Sequence, residues 1–426
     1  IKQEEGELDL KIHGGYSRKF DQKSFRLDFK SKYTGDIEYP LIPQKQFINN
    51  FNNINLRNGG NESNSNRIKD AIFSTIAQKT NIDIMGYHPC ILYLNGEYWG
   101  VYGMREKIDE HYIEANYNVS HDNLDLIGAK ENVLHGDKSS FIEAYHLLLS
   151  IDSDDISFLP LFKNVFDINN YIDYYVFETI IQNKDWYAGK YNSKLWRDKS
   201  ESGKWKFILY DTDQAFRDSP QQNFILEKTR IPTNNGYSIR SKYSKIFDLV
   251  MKNREFQCLF WNRYNSMLND ILHVDSVQFV VDNLKAQIID AMPDHLNRWN
   301  PSSSLNLWEQ YVDNITNSLQ NRMPYALIQA KDMIESSLTY FIYQDTVDNS
   351  VYCDLSQGNS YTYQWLFNGD SIIGAIDSIH YPLESGYYYY LVTDSYGCQS
   401  FSDSIFAEDC GSVIDPILTQ DSINNS

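Results

Sequence analysis

The chain has 426 residues, with 57 Asp and Glu against 38 Lys and Arg, a formal charge of −19. That excess of acid argues against nucleic acid as the main partner, because neutralising phosphate needs a basic surface. Aromatic residues are 15 % of the chain, enough for more than one core, and no apolar run reaches the ~18 residues that a membrane-spanning helix needs. The chain opens on Ile1 rather than Met and shows no signal peptide, the pattern expected of a mature or trimmed fragment.

Residues 1–50 read as β-rich. Leu8 to Ile12 alternate apolar and polar, Gly14-Gly15 turns the chain, and Ser24 to Phe29 alternate again, a hairpin with a long loop. Residues 66–81 place Ile68, Ala71, Ile72, Ile76 and Ala77 at helical spacing. Arg67 and Asp70, three apart there, read as an ion pair on one helix face. Asn95-Gly96 between two apolar aromatic runs predicts a tight hairpin over residues 90–103. A helix is expected over 106–115, with Glu106 either a first-turn acid complementing the dipole or a partner for a ribose or a lysine. Helices are expected over 141–151 and 168–181, and again from about 243 to 338, with one small β element between.

That β element carries the densest chemistry. Asn183-Lys184-Asp185-Trp186 is followed by Asn192, then by an apolar run through Trp205, Phe207, Ile208 and Leu209 that ends at Asp211 and Asp213. The run reads as a short buried strand, and residues two apart on a strand point the same way, so the two carboxylates could converge on one cation. Acid, amide, strand and D-x-D in this order suit phosphoryl transfer: one acid orients the nucleophile, while the amide and the second acid hold magnesium on the nucleotide phosphates. The plain alternative is Asp and Asn capping backbone groups at strand ends.

Composition changes near residue 340. Residues 361–367 run into an Asn368-Gly369 turn and residues 387–393 form a second strand, the pattern of a small β-sandwich with Trp365 and Tyr387 in its core. The expected division is 1–338, 342–410 and a linker or tail over 411–426. Cys90 and Cys258 lie among apolar residues and are expected as free buried thiols. Cys353, Cys398 and Cys410 cluster, which suggests a disulfide (Cys353–Cys398 first, Cys353–Cys410 second) and an oxidising compartment. No CxxC pair is present, which argues against a zinc cluster.

Several separated stretches, over roughly residues 8–335, together resemble the CotH (spore-coat protein H) kinase family of secreted atypical kinases. They are His13-Gly14-Gly15-Tyr16-Ser17-Arg18 with Lys23 to Leu27; Leu56-Arg57-Asn58 with Arg67 and Asp70; Tyr93 to Tyr102 with Arg105 to Asp109; Asp185 to Phe216; and His295 to Trp299. The resemblance implies an α+β, two-lobed protein-kinase-like domain that moves the γ-phosphoryl group of ATP. It makes Asp185 the catalytic acid and Asn192 and Asp211 magnesium ligands, with Asp213 a second candidate. Gly14, Gly15, Ser17 and Arg18 become the loop over the phosphates, Lys23 a phosphate partner and Glu106 a contact of the nucleotide. Arg18 and Lys23 have the alternative of solvated charges on a strand edge. His295 and Trp299, one helical turn apart, read as packing, and His111 and His135 as surface residues.

The same resemblance implies ATP with Mg2+, with Mn2+ or Ca2+ as alternatives, and a Ser or Thr acceptor on a secreted or surface protein of a bacterium. The stretch from Tyr363 to Cys398 resembles Ig-like or PKD-like repeats of large secreted bacterial proteins, which act as spacers or adhesive units. The competing reading is a catalytically weak or inactive kinase-like scaffold serving as a structural or adhesive surface protein. A third is carbohydrate binding through exposed Tyr and Trp.

Overall fold

The computed structural model describes residues 5–29, 35–186, 191–223, 241–333, 341–345, 348, 350–354, 362–393, 399–402 and 404–407. The chain divides into two compact units, Ile1–Met333 and Ile334–Ser426.

The first unit opens with β1 (Asp9–His13) and β2 (Ser24–Asp28), joined by a 3-10 turn at Tyr16–Lys19. A small pair, β3 (Ile37–Glu38) and β4 (Asn50–Phe51), precedes β5 (Asn53–Arg57). Helix α1 (Lys69–Ala77) and the short β6 (Asp83–Ile84) lead into the long hairpin β7 (Tyr87–Leu94) and β8 (Glu97–Arg105). Asn95 and Gly96 turn that hairpin with φ of 51° and 81°, the left-handed pair that a type I′ turn requires. The first sheet runs β1-β2-β5-β8-β7, antiparallel throughout.

Helix α2 is Glu110–Tyr117, capped by the Asp109 side chain, which accepts from the Tyr112 N–H. The helix expected from Glu106 therefore starts later, because Asp109 supplies the N-cap and the three residues before it continue from β8. Next come β9 (Leu124–Gly128), β10 (Val133–His135), α3 (Ser139–Leu149), α4 (Phe158–Val165), α5 (Ile168–Ile180), β11 (Lys194–Asp198) and β12 (Lys206–Leu209). They build a second sheet, β10-β9-β11-β12-β6, in which β12 pairs parallel with β6. The helices that follow are α6 (Lys242–Val250), α7 (Arg254–Asn269), α8 (Val274–Ala286), α9 (Met292–Trp299) and α10 (Leu305–Lys331).

Helix α5 organises this half of the unit. It is buried on nearly every side, because β12 covers one face and other helices cover the rest. Tyr174 stacks on Phe207 at 4.2 Å and Tyr175 on Phe247 at 4.3 Å between ring centroids. Each such buried ring contributes on the order of 2–3 kcal/mol by removal from water, and ring pairing adds about 1 kcal/mol. Near the start of α5, the Asn170 amide accepts from Phe207 N–H at 2.6 Å and donates to Phe207 C=O at 3.0 Å. The helix and the strand are thus held in one register.

Helix α9 joins the helical part to the first sheet. Strand β5 covers β8 only from Gly103 to Arg105, which leaves an open backbone edge. His295 Nδ1 accepts from Val101 N–H at 3.1 Å, and Trp299 Nε1 donates to Trp99 C=O at 2.6 Å. Two side chains of one helix thereby do the work of a missing strand, so His295 and Trp299 are packing residues as expected. Arg67 completes that edge by donating to Val101 C=O at 2.9 Å. The expected Arg67–Asp70 pair does not form: Arg67 has φ 67° and precedes α1, so helical spacing does not apply, and Asp70 turns to Arg105 at 3.2 Å instead.

The second unit, by itself, is all strand among the described residues. It contains β13 (Phe341–Gln344), β14 (Val351–Asp354), β15 (Thr362–Phe367), β16 (Asp370–Ser371), β17 (Ile379–His380), β18 (Gly386–Thr393), β19 (Gln399–Phe401) and β20 (Ile405–Ala407). One sheet is β13-β14-β17; the other is β16-β15-β18-β19, with β20 also on β18. Its core is Val351, Trp365, Tyr388, Tyr390, Val392 and Ala407. Tyr387, expected in that core, is 51 % exposed: four consecutive tyrosines carry no alternation of their own, and pairing of Tyr388 with Phe367 sets which face turns inward.

Cys90 is a free thiol, pushed up to about 12 by burial. Cys258 corrects the expectation, for it is disulfide-bonded. It is also 1 % exposed, and apolar surroundings suit a half-cystine as well as a thiol. The cysteine pairings expected at Cys353, Cys398 and Cys410 rest on side chains outside the described residues.

Candidate active site

The loops that leave α5 and β12 are tied together. Phe216 N–H donates to Ile181 C=O at 3.0 Å and Lys184 N–H to Gln214 C=O at 3.2 Å. On either side of Asp185, Lys184 pairs with Asp218 at 2.8 Å and Trp186 is fully buried against Tyr175, 5.6 Å between centroids. Asp185 is thus an exposed acid on an anchored turn, and the α5–β12 packing places it beside the strand mouth that carries Asp211.

Asp211 lies just past β12 with φ 59°, and Asn192 has φ 46°. Left-handed backbone at two non-glycine residues of one cleft marks a site where surrounding structure imposes the conformation. The two acids do converge, on an arginine. Arg57, at the end of β5, directs Nη2 to Asp211 Oδ1 at 2.5 Å and to Asp213 Oδ2 at 2.7 Å. Their surroundings differ. Asp213 is buried, and its carboxylate also accepts from Asn61 N–H at 3.0 Å and Asn61 Nδ2 at 3.2 Å. The Asp211 side chain is about a third open, 31 % exposed, and faces the cleft.

Behind them, Asp70 accepts from Thr212 N–H at 2.9 Å and Thr212 Oγ1 at 3.1 Å. Burial works to raise the Asp70 carboxyl, but Arg105 and Arg57 outweigh it and hold it at about 2. Asp211 goes the other way: burial, with Asp213 and Asp70 adding, pushes it up to about 6 against the pull of Arg57. Three carboxylates are met by two guanidiniums, which leaves this floor short of positive charge.

A cleft of about 850 Å³ lies over it. Gly14, Gly15, Ser17, Arg18, Asp185, Asn192, Asp211 and Asp213 all line it. Gly14 has φ 105°, and a Cβ there would lie 2.3 Å from Ser17 Oγ, so the tight turn into the 3-10 segment requires glycine. Arg18 and Lys194 bring basic groups to the same lining. His13, also in the lining, is brought down to about 4 by burial and by Arg57, Arg26, Lys194 and Arg18. Lys194 is brought down to about 8 by burial with Lys107 adding, against Asp109 and Asp211.

Lys23 and Glu106 are not in this lining. The Lys23 ammonium donates to Arg18 C=O at 2.9 Å and Phe20 C=O at 2.5 Å, so it closes the turn below the loop rather than reaching into the cleft. Glu106 is buried. It pairs with Lys45 at 2.7 Å and accepts from Gly86 N–H at 2.7 Å, which answers its alternatives in favour of a lysine. His111 and His135, expected as isolated surface residues, join His121 among Glu110, Glu114 and Asp122 at 3.5–4.0 Å. Arg57, Asp70 and Arg105 stand in the family-like stretches without a role in the cleft read from the sequence, and Lys194 gave no signal there. An arginine closing an alternating strand, Asn53 to Arg57, was the available signal.

The family profile described as CotH kinase protein matches residues 10–326. The chain belongs to the CotH kinase family. No curated protein matches it. The CotH match lies within the first unit and includes every cleft residue named above, while residues from 334 onward lie outside it. CotH membership implies kinase-like activity, with ATP and a divalent cation as its reagents. Among the described residues, no three His, Cys, Asp or Glu side chains form a metal cage. A magnesium ion that keeps waters and phosphate oxygens needs only one or two protein carboxylates, and here two carboxylate oxygens from different residues already meet at one positively charged atom. The donor set fits.

Proposed function

We propose that the CotH domain transfers the γ-phosphoryl group of ATP to a Ser or Thr hydroxyl of a secreted or surface protein. One observation carries this reading: Asp211 Oδ1 and Asp213 Oδ2 converge on a single cationic point in the floor of a cleft shared with the glycine turn and Asp185. Magnesium bound with ATP would supply neutralisation of the phosphate charge. Asp211 is its principal protein ligand, because it faces the cleft while Asp213 is already hydrogen-bonded by Asn61; Asn192 is the second ligand.

The backbone N–H groups at Gly14 and Gly15, with the Ser17 hydroxyl and Arg18, cover the phosphates. Arg18 and Lys194 draw the polyanion in. Asp185 accepts the proton of the acceptor hydroxyl as its oxygen bonds to the γ-phosphorus and the bond to the β–γ bridging oxygen breaks, releasing ADP. Charge placement and orientation supply most of the rate.

The second unit, taken over 342–410, is an Ig-like spacer or adhesive module, a reading supported by its two small sheets and buried Trp365. The disulfide at Cys258 supports an oxidising, extracytoplasmic setting. The test is transfer of labelled phosphate from ATP by the whole chain with Mg2+, Mn2+ or Ca2+, to itself or to a generic Ser/Thr substrate. Incorporation that Asp185→Ala removes supports the proposal. Failure of the wild-type chain to bind nucleotide at all would favour the inactive scaffold.

A further inference from the structure

We propose that Arg57 is a phosphate-binding residue held in reserve. Its guanidinium sits on the carboxylates of the cation site, and a divalent cation arriving at Asp211 turns it over to the phosphates of the nucleotide. The proposal rests on the phosphotransferase reading for the identity of its two ligands, a hard divalent cation and a polyphosphate.

The geometry makes the two cations competitors. Arg57 Nη2 lies 2.5 Å from Asp211 Oδ1 and 2.7 Å from Asp213 Oδ2, and a divalent ion bound to those oxygens would need the same space. Among the described residues, Arg57 is the one group hydrogen-bonded to the Asp211 carboxylate. Asp213 keeps Asn61 when Arg57 leaves. Asp211 therefore changes partner, and Asp213 remains a fixed support.

A displaced guanidinium needs another anion. Arg57 lines the cleft beneath the glycine turn, its side chain is 26 % exposed there, and its Nε is buried without a hydrogen-bond partner. Asp70 Oδ2 lies 4.0 Å from that Nε and 3.2 Å from Arg105, and it makes no hydrogen bond of its own, so it anchors the Nε side of the guanidinium while Nη2 turns. A phosphate in the cleft offers the displaced Nη2 a second anion, and a planar fork of donors suits it. The consequence is a coupling. A cation alone must break two charge-assisted bonds, a cation with polyphosphate re-forms them elsewhere, and by linkage each ligand tightens the other.

The experiment measures Mn2+ binding without nucleotide, by paramagnetic resonance or calorimetry, on the whole chain as wild type, Arg57→Gln and Asp211→Asn. Arg57→Gln should bind Mn2+ about tenfold more tightly, the size of a typical coupling, and Asp211→Asn should lose it. Unchanged or weaker binding by Arg57→Gln overturns the proposal. If Asp211→Asn binds Mn2+ as well as wild type, the cation reading of the cleft fails; if it loses Mn2+ while Arg57→Gln gains nothing, only the reserve role fails. Should Arg57→Gln not fold, the wild-type chain decides through modification by phenylglyoxal, read by peptide mass spectrometry. Mn2+ should speed modification of Arg57 and a non-hydrolysable ATP analogue added with it should slow it again; a rate indifferent to Mn2+ overturns the proposal.

Discussion

At Gly60 a single hydrogen separates the backbone from the Arg57–Asp213 pair. A Cβ built there would lie 2.2 Å from Asp213 Oδ2 and 2.6 Å from Arg57 Nη2, on a residue with φ 62°. Gly60→Ala should therefore displace the pair and cost on the order of 1–3 kcal/mol, read as a lower urea midpoint together with weaker Mn2+ binding. A full-strength cation site in that variant would show that the pair tolerates movement. The two acids at the cleft make separable predictions. Asp185→Ala should abolish phosphoryl transfer while nucleotide binding stays largely intact, because Asp185 addresses the acceptor. Asp211→Ala should weaken Mg·ATP binding as well, and losing such a contact typically costs about 10²–10³-fold in rate. Equal autophosphorylation by wild type and Asp185→Ala, followed with labelled ATP, would remove Asp185 from its role.

Helix α9 presents a titratable group where a strand would present a carbonyl. His295 must be neutral at Nδ1 to accept from Val101 N–H. Burial, with Arg67 adding, brings it down from 6.5 to about 2. The unfolded chain then binds a proton that the folded chain refuses between those two values. The stabilisation is whole above pH 6.5 and is lost as pH falls, by roughly 1.4 kcal/mol per pH unit. His295→Gln keeps an acceptor that does not titrate, so its urea midpoint should fall less steeply than that of wild type between pH 6.5 and 4.5. Parallel slopes would mean that other groups carry the acid response.

On the scale of the whole molecule, the family match at 10–326 and the compact unit Ile1–Met333 nearly coincide. Residues 1–333 expressed with Cys258→Ser should unfold cooperatively and bind nucleotide as the full chain does under reducing conditions; a molten, ANS-binding product would show that the remaining residues are needed. The cysteines give a second reading at this scale. Alkylation of the unreduced, denatured protein should label Cys90 and spare Cys258, since only the former is a free thiol. Peptide mapping that finds Cys258 labelled would contradict the disulfide.

Periodicity and turn chemistry are local, and what they govern could be read from the chain. The helical spacing at Ile68 to Ala77, the apolar run before Asp211, and Asn95-Gly96 each became the expected element, because backbone preference and burial of one face act over a few residues. The order Asp185, Asn192, Asp211, Asp213 was likewise legible, and the match to the CotH family follows from such stretches. The partners of charges were not. Arg57 meets Asp211 and Asp213 across more than 150 positions, by separations of 154 and 156, Lys45 finds Glu106 61 positions away, and Arg67 and Asp70, neighbours in sequence, part company. Nor could four adjacent tyrosines say which two face inward. Coulomb attraction and close packing act through space, and only the tertiary structure brings distant residues to the distances at which those forces choose between them.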